Sequence, residues 1–106
     1  MNLKYLILCC VAALLVLPAV AQDSEGADTY KAKCLMCHGP DGTAQTPAGK
    51  VFKAASFRDP VVVKTPDDEL ASIVKKGKNK MPVFGSMLSD DQIKSVIAYI
   101  HTLQKD

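Results

Sequence analysis

The sequence predicts an all-α protein with three main helices, joined by loops and short helices. Two segments carry helix-start signals. Thr65-Pro66-Asp67-Asp68 places a capping residue before a proline and two acidic residues, and Ser89-Asp90-Asp91-Gln92 is a capping box. Apolar residues follow both signals at helical spacing. No segment shows the two-residue alternation that is typical of a half-buried strand, so the pattern favours helices throughout.

The N-terminal segment has the order of a secretory signal peptide. Residues 1–4 carry positive charge, residues 5–20 are almost entirely apolar, and the small-x-small triplet Ala19-Val20-Ala21 follows. We therefore predict a signal peptide at residues 1–21 and a single domain at residues 22–106, exported to the periplasm or an equivalent compartment. The alternative is an N-terminal anchor that is not cleaved, although the run is short for a membrane span.

The predicted cleavage also divides the four cysteines of the sequence. Cys9 and Cys10 lie in the signal segment, and neither follows the small residue that lipoprotein processing requires. The exported domain keeps only Cys34 and Cys37. A disulfide closing so short a loop would add little stability through chain entropy. Because a domain of this size commonly needs a staple or a cofactor, we expect these two thiols to hold something else.

The segment Cys34-Leu35-Met36-Cys37-His38 supplies the chemistry for covalent haem attachment. Two thiols three residues apart on a helical turn can each add to one vinyl group of a porphyrin, and the next histidine can bind its iron. Three alternatives remain. A thioredoxin-like redox pair needs a strand before it, a zinc site needs a fourth ligand for which the other histidine is His101, and the short motif can occur by chance.

Residues 39–59 are rich in Gly, Pro, Thr and Ala and read as a long loop, with a short helix near residues 51–55. Such a loop can wrap one edge of a haem, and its apolar side chains Val51, Phe52 and Phe57 are candidate pocket residues or ordinary core. Pro47 is a candidate haem-site residue, because its carbonyl can accept a hydrogen bond from the second imidazole nitrogen of His38.

The second axial ligand has four candidates, which are Met36, Met81, Met87 and His101. Met36 lies too close to the attachment cysteines to reach the opposite face of the ring. Met81 stands in a loop with Pro82 fixing the backbone after it, and we predict that it is the ligand. Met87 is expected to be a buried gap-filling side chain, and His101 is expected to cap a helix or face solvent.

The helical faces complete the predicted architecture. Gly26, Tyr30 and Cys34 share one face of the first helix. The middle helix has an apolar stripe at Leu70, Ile73 and Val74, and Gly77 can end it with a positive φ. The last helix presents an apolar face made of Ile93, Val96, Ile97 and Ile100, with Leu103 or Gln104 at its end.

In this order and spacing the motifs resemble those of the class I c-type cytochromes, across nearly all of residues 22–106. Gly26 and Tyr30 precede the attachment motif, Pro47 matches the family's loop proline, and residues 77–84 resemble its methionine ligand loop. The resemblance implies a cytochrome c fold around one covalently bound haem, with the Gly26 and Tyr30 face crossing the last helix near Val96 and Tyr99. The sequence departs from the family in having no tryptophan, and Phe84 stands in the aromatic position after the ligand loop.

The resemblance implies a single-electron carrier with His38 and Met81 as iron ligands, and not an enzyme. Two alternatives remain open: a five-coordinate haem protein acting as a ligand sensor or minor peroxidase, and a haem subunit of a larger oxidoreductase. A colourless dithiol interaction module is the non-haem alternative.

The charge pattern bears on partners. The formal net charge of only +2 argues against nucleic-acid binding. Lys75, Lys76, Lys78 and Lys80 cluster before Met81 and are either a patch that steers redox partners or an ordinary solvated helix end. We expect a monomer that meets its partners transiently, with no stable membrane insertion after signal cleavage.

Overall fold

The computed structural model describes residues 19–105, and in this part of the chain the fold is helical. Three longer helices carry the structure: α1 (Ala19–Lys33), α5 (Asp67–Lys76) and α6 (Asp90–Leu103). Three short helices lie between them: α2 (Leu35–His38), α3 (Pro47–Phe52) and α4 (Pro60–Lys64). Within residues 19–105 the β-type pairing is confined to one isolated bridge between Lys78 and Met81, which confirms the all-α prediction.

The crossing of α1 and α6 brings the two ends of the domain together. At Gly26 a Cβ atom would overlap the carbonyl oxygen of Ser95 and lie 3.2 Å from Tyr99 Cβ, so only glycine allows this approach. Tyr30 follows one turn later, with its ring centroid 5.2 Å from that of Tyr99, and belongs to a core cluster with Val96. The predicted crossing is confirmed.

A second core cluster lies between α5, α6 and the loop that joins them. It contains the buried side chains of Val74, Phe84, Leu88, Ile93 and Ile97. The last helix begins as predicted, because Ser89 accepts a hydrogen bond from the Gln92 amide at 3.1 Å and the Gln92 side chain accepts one from the Ser89 amide at 2.8 Å. These paired bonds satisfy amides that the first turn of a helix leaves without partners.

The start of α5 differs from the prediction. Thr65 does not cap this helix, because its hydroxyl donates to the carbonyl oxygen of Val61 at 2.7 Å in the preceding helix. Pro66 is the N-cap residue, and the helix starts at Asp67. Gly77 ends the helix with a φ of 75°, as predicted, and its amide donates to the carbonyl of Ile73 at 2.8 Å.

The short helix in the long loop also lies earlier than predicted. It spans Pro47–Phe52 rather than residues 51–55, because Thr46 caps it and Pro47 occupies its first position. Lys53 ends it with a left-handed backbone, φ 55°. Helix α4 was not predicted at all, although Asp59 caps it through the Val61 amide at 2.9 Å.

The predicted signal peptide lies largely outside the described residues, as do Cys9 and Cys10. Within the described residues α1 spans Ala19–Lys33, so the predicted cleavage after Ala21 lies inside this span. Among residues 19–105, no helix combines the length and apolar character needed to cross a membrane.

Candidate functional site

The attachment motif continues directly from α1. The Cys34 amide donates to the Tyr30 carbonyl at 2.8 Å, and the His38 amide donates to the Cys34 carbonyl at 2.9 Å, so the cysteines and the histidine share one helical turn. Both thiols are free and partly buried. Burial, with a smaller contribution from Cys37, raises the pKa of Cys34 to about 11, which keeps this thiol protonated. A helix rather than a strand precedes the motif, which disfavours the thioredoxin-like interpretation.

His38 is held in one orientation by two contacts. Its Nδ1 lies 3.0 Å from the carbonyl oxygen of Ala55, and its ring stacks on Phe57 with centroids 4.4 Å apart at 19°. A carbonyl can only accept, so Nδ1 carries the proton and Nε2 keeps its lone pair. Burial lowers the pKa of His38 and thereby favours the neutral imidazole. This is the protonation and tautomer that a metal ligand at Nε2 requires.

The predicted role of Pro47 is wrong in this structure, because the acceptor for His38 is the carbonyl of Ala55. Pro47 is instead the exposed first residue of α3, directly after the cap. A carbonyl in the first turn of a helix points along the helix axis toward the amide four residues on, which turns it away from neighbouring side chains. Pro47 therefore contributes to the site through the start of α3.

A clamp formed by Thr46 and Gly49 joins α3 to the attachment turn, and the sequence analysis missed it. The Thr46 hydroxyl lies 2.6 Å from the Met36 carbonyl and 3.1 Å from the Cys37 carbonyl, and it accepts from the Gly49 amide at 2.9 Å. At Gly49, a Cβ atom would overlap the Cys37 carbonyl oxygen. The Thr-Pro pair was a readable cap signal, but its tie to the attachment turn depends on the path of the loop.

A second backbone tie comes from Tyr30, which the sequence placed only on a helix face. Its hydroxyl donates to the carbonyl of Gly39 at 2.6 Å in a buried position. Burial raises the pKa of Tyr30, so the hydroxyl keeps its proton as a donor. Gly39 directly follows His38 and has a φ of 81°. The bond from Tyr30 therefore fixes the backbone where the chain leaves the attachment turn.

The loop around Met81 is built tightly against the end of α5. The Met81 amide donates to the Lys78 carbonyl at 2.9 Å across a turn in which Asn79 has a φ of 54°. The Phe84 amide then donates to the Val74 carbonyl at 3.1 Å. Met81 is partly buried against the second core cluster. These contacts hold its thioether on a defined backbone.

The other ligand candidates have different surroundings. Met36 is 77% exposed on the attachment turn, and Met87 is 50% exposed, so the expectation that Met87 fills a buried gap is wrong. His101 lies 2.7 Å from Asp67 through Nε2 and 2.7 Å from Gln104 through Nδ1. Because both of its ring nitrogens have partners, His101 is poorly placed as the fourth zinc ligand or as an iron ligand.

Several large apolar side chains near the attachment turn and the Met81 loop in sequence are left uncovered. Phe57 is buried against His38, whereas Val51 and Phe52 of α3 and Val83 and Met87 around the Met81 loop are at least half exposed. In sequence, Val51, Phe52 and Phe57 follow the attachment turn, and Val83 and Met87 follow Met81. Two thiols, a neutral histidine and uncovered apolar side chains are the donor set and the lining that a covalently bound haem needs.

The lysines before Met81 are not all equivalent. Lys75 forms an ion pair with Asp90, with Nζ 2.6 Å from a carboxylate oxygen, while Lys76, Lys78 and Lys80 are exposed. Asp67, Asp68 and Glu69 lie at the opposite end of α5, in its first turn. The length of α5 therefore separates these three carboxylates from Lys75 and Lys76, whereas Asp90 lies against Lys75.

Comparison with known proteins gives two kinds of match. Residues 21–100 match the family model described as cytochrome c oxidase, cbb3-type, subunit III. The chain is also similar to cytochrome c6 of Synechococcus sp., with 36% identity over 84 residues that cover 78% of this chain and 72% of the relative. Cytochrome c6 of Rippkaea orientalis is 31% identical over 101 residues, covering 94% and 88% of the two chains. For cytochrome c6 of Thermosynechococcus vestitus, the identity is 30% over 105 residues, covering 94% and 91%.

Proposed function

Because the chain belongs to the class I c-type cytochromes, we propose that it carries single electrons on a haem attached at Cys34 and Cys37 and ligated by His38 and Met81. As a member of this family, the protein is an electron-transfer protein with one covalently bound haem c and redox partners, and it is not an enzyme. The assignment of individual residues and of partners is the part that we propose.

The orientation of His38 carries the proposal. Its Nδ1 proton is directed to Ala55 and its ring is stacked on Phe57, which leaves Nε2 as the coordinating atom on the turn that also carries both thiols. The Thr46 hydroxyl and the Tyr30 hydroxyl fix the backbone on either side of this histidine. A haem bound here supplies a one-electron ferric/ferrous couple. The chain holds the ligand in place, so little rearrangement accompanies electron transfer.

Holoprotein yield tests the attachment. Cys37→Ser and His38→Ala should each greatly lower the yield of covalent haem protein in a host that matures c-type cytochromes. Lys50→Ala, at an exposed helical position of α3, is the matched control and should leave the yield unchanged. Normal yield and spectrum in either motif variant would contradict the assignment.

Met81 as the second ligand is supported by its defined loop and by the partners that occupy His101. Met81→Ala should keep covalent haem but lower the reduction potential, because a thioether stabilises ferrous iron. Met87→Ala, six residues on and half exposed, is the control. If only Met87→Ala lowered the potential, the ligand assignment would move to Met87.

The five-coordinate alternative makes a different prediction. With Met81 bound, the iron has no free position, so carbon monoxide should bind weakly or not at all to the reduced wild type. Met81→Ala should bind it readily. Strong binding by the wild type would favour a sensor or peroxidase over a carrier.

A haem subunit of a larger oxidoreductase is the second candidate, and the family match to an oxidase subunit favours it. The cytochrome c6 relatives favour the separate carrier, because the match covers 72% to 91% of the length of the three relatives described above. Purification under mild conditions separates these possibilities. A monomeric haem protein supports the carrier, and stable co-purification with an oxidase supports the subunit.

We also propose that Lys76, Lys78 and Lys80 steer acidic redox partners toward the Met81 loop. Exposed positive charge raises the rate of encounter with an acidic partner, and added salt weakens this effect by screening. The double variant Lys78→Gln/Lys80→Gln should slow electron transfer to an acidic partner at low salt and have little effect at high salt. The double variant Lys31→Gln/Lys33→Gln, at two exposed positions of α1, is the control that loses the same two charges.

Export of a processed chain completes the proposal. The family match begins at residue 21, next to the predicted cleavage after Ala21. The intact mass of protein purified from the periplasm should therefore correspond to residues 22–106 plus one haem. A mass that retained residues 1–21 would favour the anchored form.

A further inference from the structure

A series of hydrogen bonds connects the N-terminus of α5 to the backbone of Phe57, whose ring stacks on His38. Asp67 lies 2.7 Å from Nε2 of His101, and Nδ1 of His101 lies 2.7 Å from Oε1 of Gln104. The Gln104 side-chain nitrogen donates to the carbonyl of Phe57 at 3.1 Å, a contact that spans 47 residues of sequence. The Phe57 amide in turn donates to the Gly42 carbonyl at 2.8 Å.

The directions of these bonds determine the charge on His101. Because the amide nitrogen of Gln104 faces the Phe57 carbonyl, its oxygen must face Nδ1 of His101. The other ring nitrogen faces a carboxylate oxygen. Both neighbours are acceptors, so both ring nitrogens must donate, and only the imidazolium form can do so. Loss of one proton removes one of the two bonds.

We propose that His101 and Gln104 are positioning residues of the haem site, and that protonated His101 holds Gln104, and through it Phe57, against His38. The inference rests on the proposed haem function, because His38 is the iron ligand only in that function. Deprotonation of His101 loosens the hold on Phe57 and removes a positive charge from this side of the domain. Both the surroundings of His38 and the reduction potential then depend on pH.

The charges around His101 set the direction of this dependence. Hydrogen bonds to Gln104 and Asp67 raise its pKa, and partial burial and the nearby Lys105 oppose them. From the segment that carries Phe57, Arg58 reaches α6 as well, with Nε donating to the Leu103 carbonyl at 3.3 Å. The imidazolium is thus retained to a higher pH than in a free histidine. Since a lost positive charge favours ferric iron, the potential should fall as pH rises through the titration of His101.

The test follows three signals of the holoprotein by pH titration: the imidazole resonances of His101, the ring resonances of Phe57, and the reduction potential. In the wild type we expect all three to change with one midpoint. Gln104→Met keeps the side-chain length but removes both hydrogen bonds, so His101 should still titrate beside Asp67 while the Phe57 signals no longer follow it. His101→Gln should abolish the shared midpoint in both remaining signals. Thr102→Ala, on the exposed side of α6, is the control and should behave as the wild type.

Two results would overturn the inference. One is a wild type in which His101 titrates without any response at Phe57, and the other is a Gln104→Met variant whose Phe57 response equals that of the wild type. Neither result would contradict the electron-carrier proposal. That proposal would fail if the wild type held no covalent haem or showed no reversible reduction potential.

Discussion

The crossing of α1 and α6 at Gly26 gives a prediction whose magnitude can be worked from the contacts. A Cβ atom at this position would overlap the Ser95 carbonyl oxygen and lie 3.0 Å from the Ser95 carbonyl carbon and 3.2 Å from Tyr99 Cβ. Two of these atoms are backbone, so no side-chain rotation can relieve the overlap. Gly26→Ala must therefore separate the two helices.

Two opposing contributions set the size of the effect. Alanine is favoured over glycine inside a helix by about 1 kcal/mol. Overpacking a well-packed contact typically costs about 1–3 kcal/mol, and a backbone obstruction lies at or above the upper end of that range. We expect a net loss of about 2 kcal/mol, which for a domain of this size lowers Tm by about 8–16 °C.

Thermal unfolding of the holoprotein, followed by circular dichroism, measures this loss. Ser24→Ala, at an exposed position of the same helix, is the matched control and should be neutral or slightly stabilising. If Gly26→Ala were as stable as the wild type, the close helix crossing and the packing argument built on it would be refuted.

The remaining predictions concern single ties around the same core and site. Ser89→Ala should lower the free energy of unfolding by about 1 kcal/mol in urea, because the capping box of α6 is lost. Tyr30→Phe should cost about 1–3 kcal/mol in the same assay, because a buried carbonyl loses its donor. Thr46→Val should reduce the yield of covalent haem protein, whereas Thr46→Ser should restore it, and equal yields would exclude the clamp. His101 has a raised pKa in the folded state, so its contribution is full below about pH 6.5 and is lost as pH rises through the folded value. His101→Asn should therefore flatten the decline in stability from pH 6 to pH 8, measured by urea unfolding.

Local signals in the sequence were enough for the start of the last helix and for the shared face of Gly26 and Tyr30, whereas the helix crossing was implied by the resemblance to the class I c-type cytochromes. The capping box at Ser89 and Gln92 satisfies amides within four residues, so no distant contact can change it easily. Gly26 and Tyr30 lie one turn apart, and their shared face follows from helix geometry alone. The glycine then marks the closest approach to α6.

The details of the site depended on the path of the loop, which local patterns do not determine. The acceptor for His38 is Ala55 rather than Pro47 because the chain turns through a left-handed residue at Lys53 after α3. Helix α4 begins with a readable Asp59-Pro60 signal, but the three valines that follow have low helix propensity. Thr65 shows the opposite case, in which a good cap residue bonds to the preceding helix instead.

The central claim is that His38 and Met81 ligate a covalently attached haem, and the visible spectrum of the purified protein tests it most directly. We predict sharp bands in the reduced protein and, in the oxidised protein, the weak long-wavelength band of a methionine–iron bond that disappears in Met81→Ala. A high-spin spectrum in the wild type, or a protein without haem absorption from a host that matures c-type cytochromes, would contradict it.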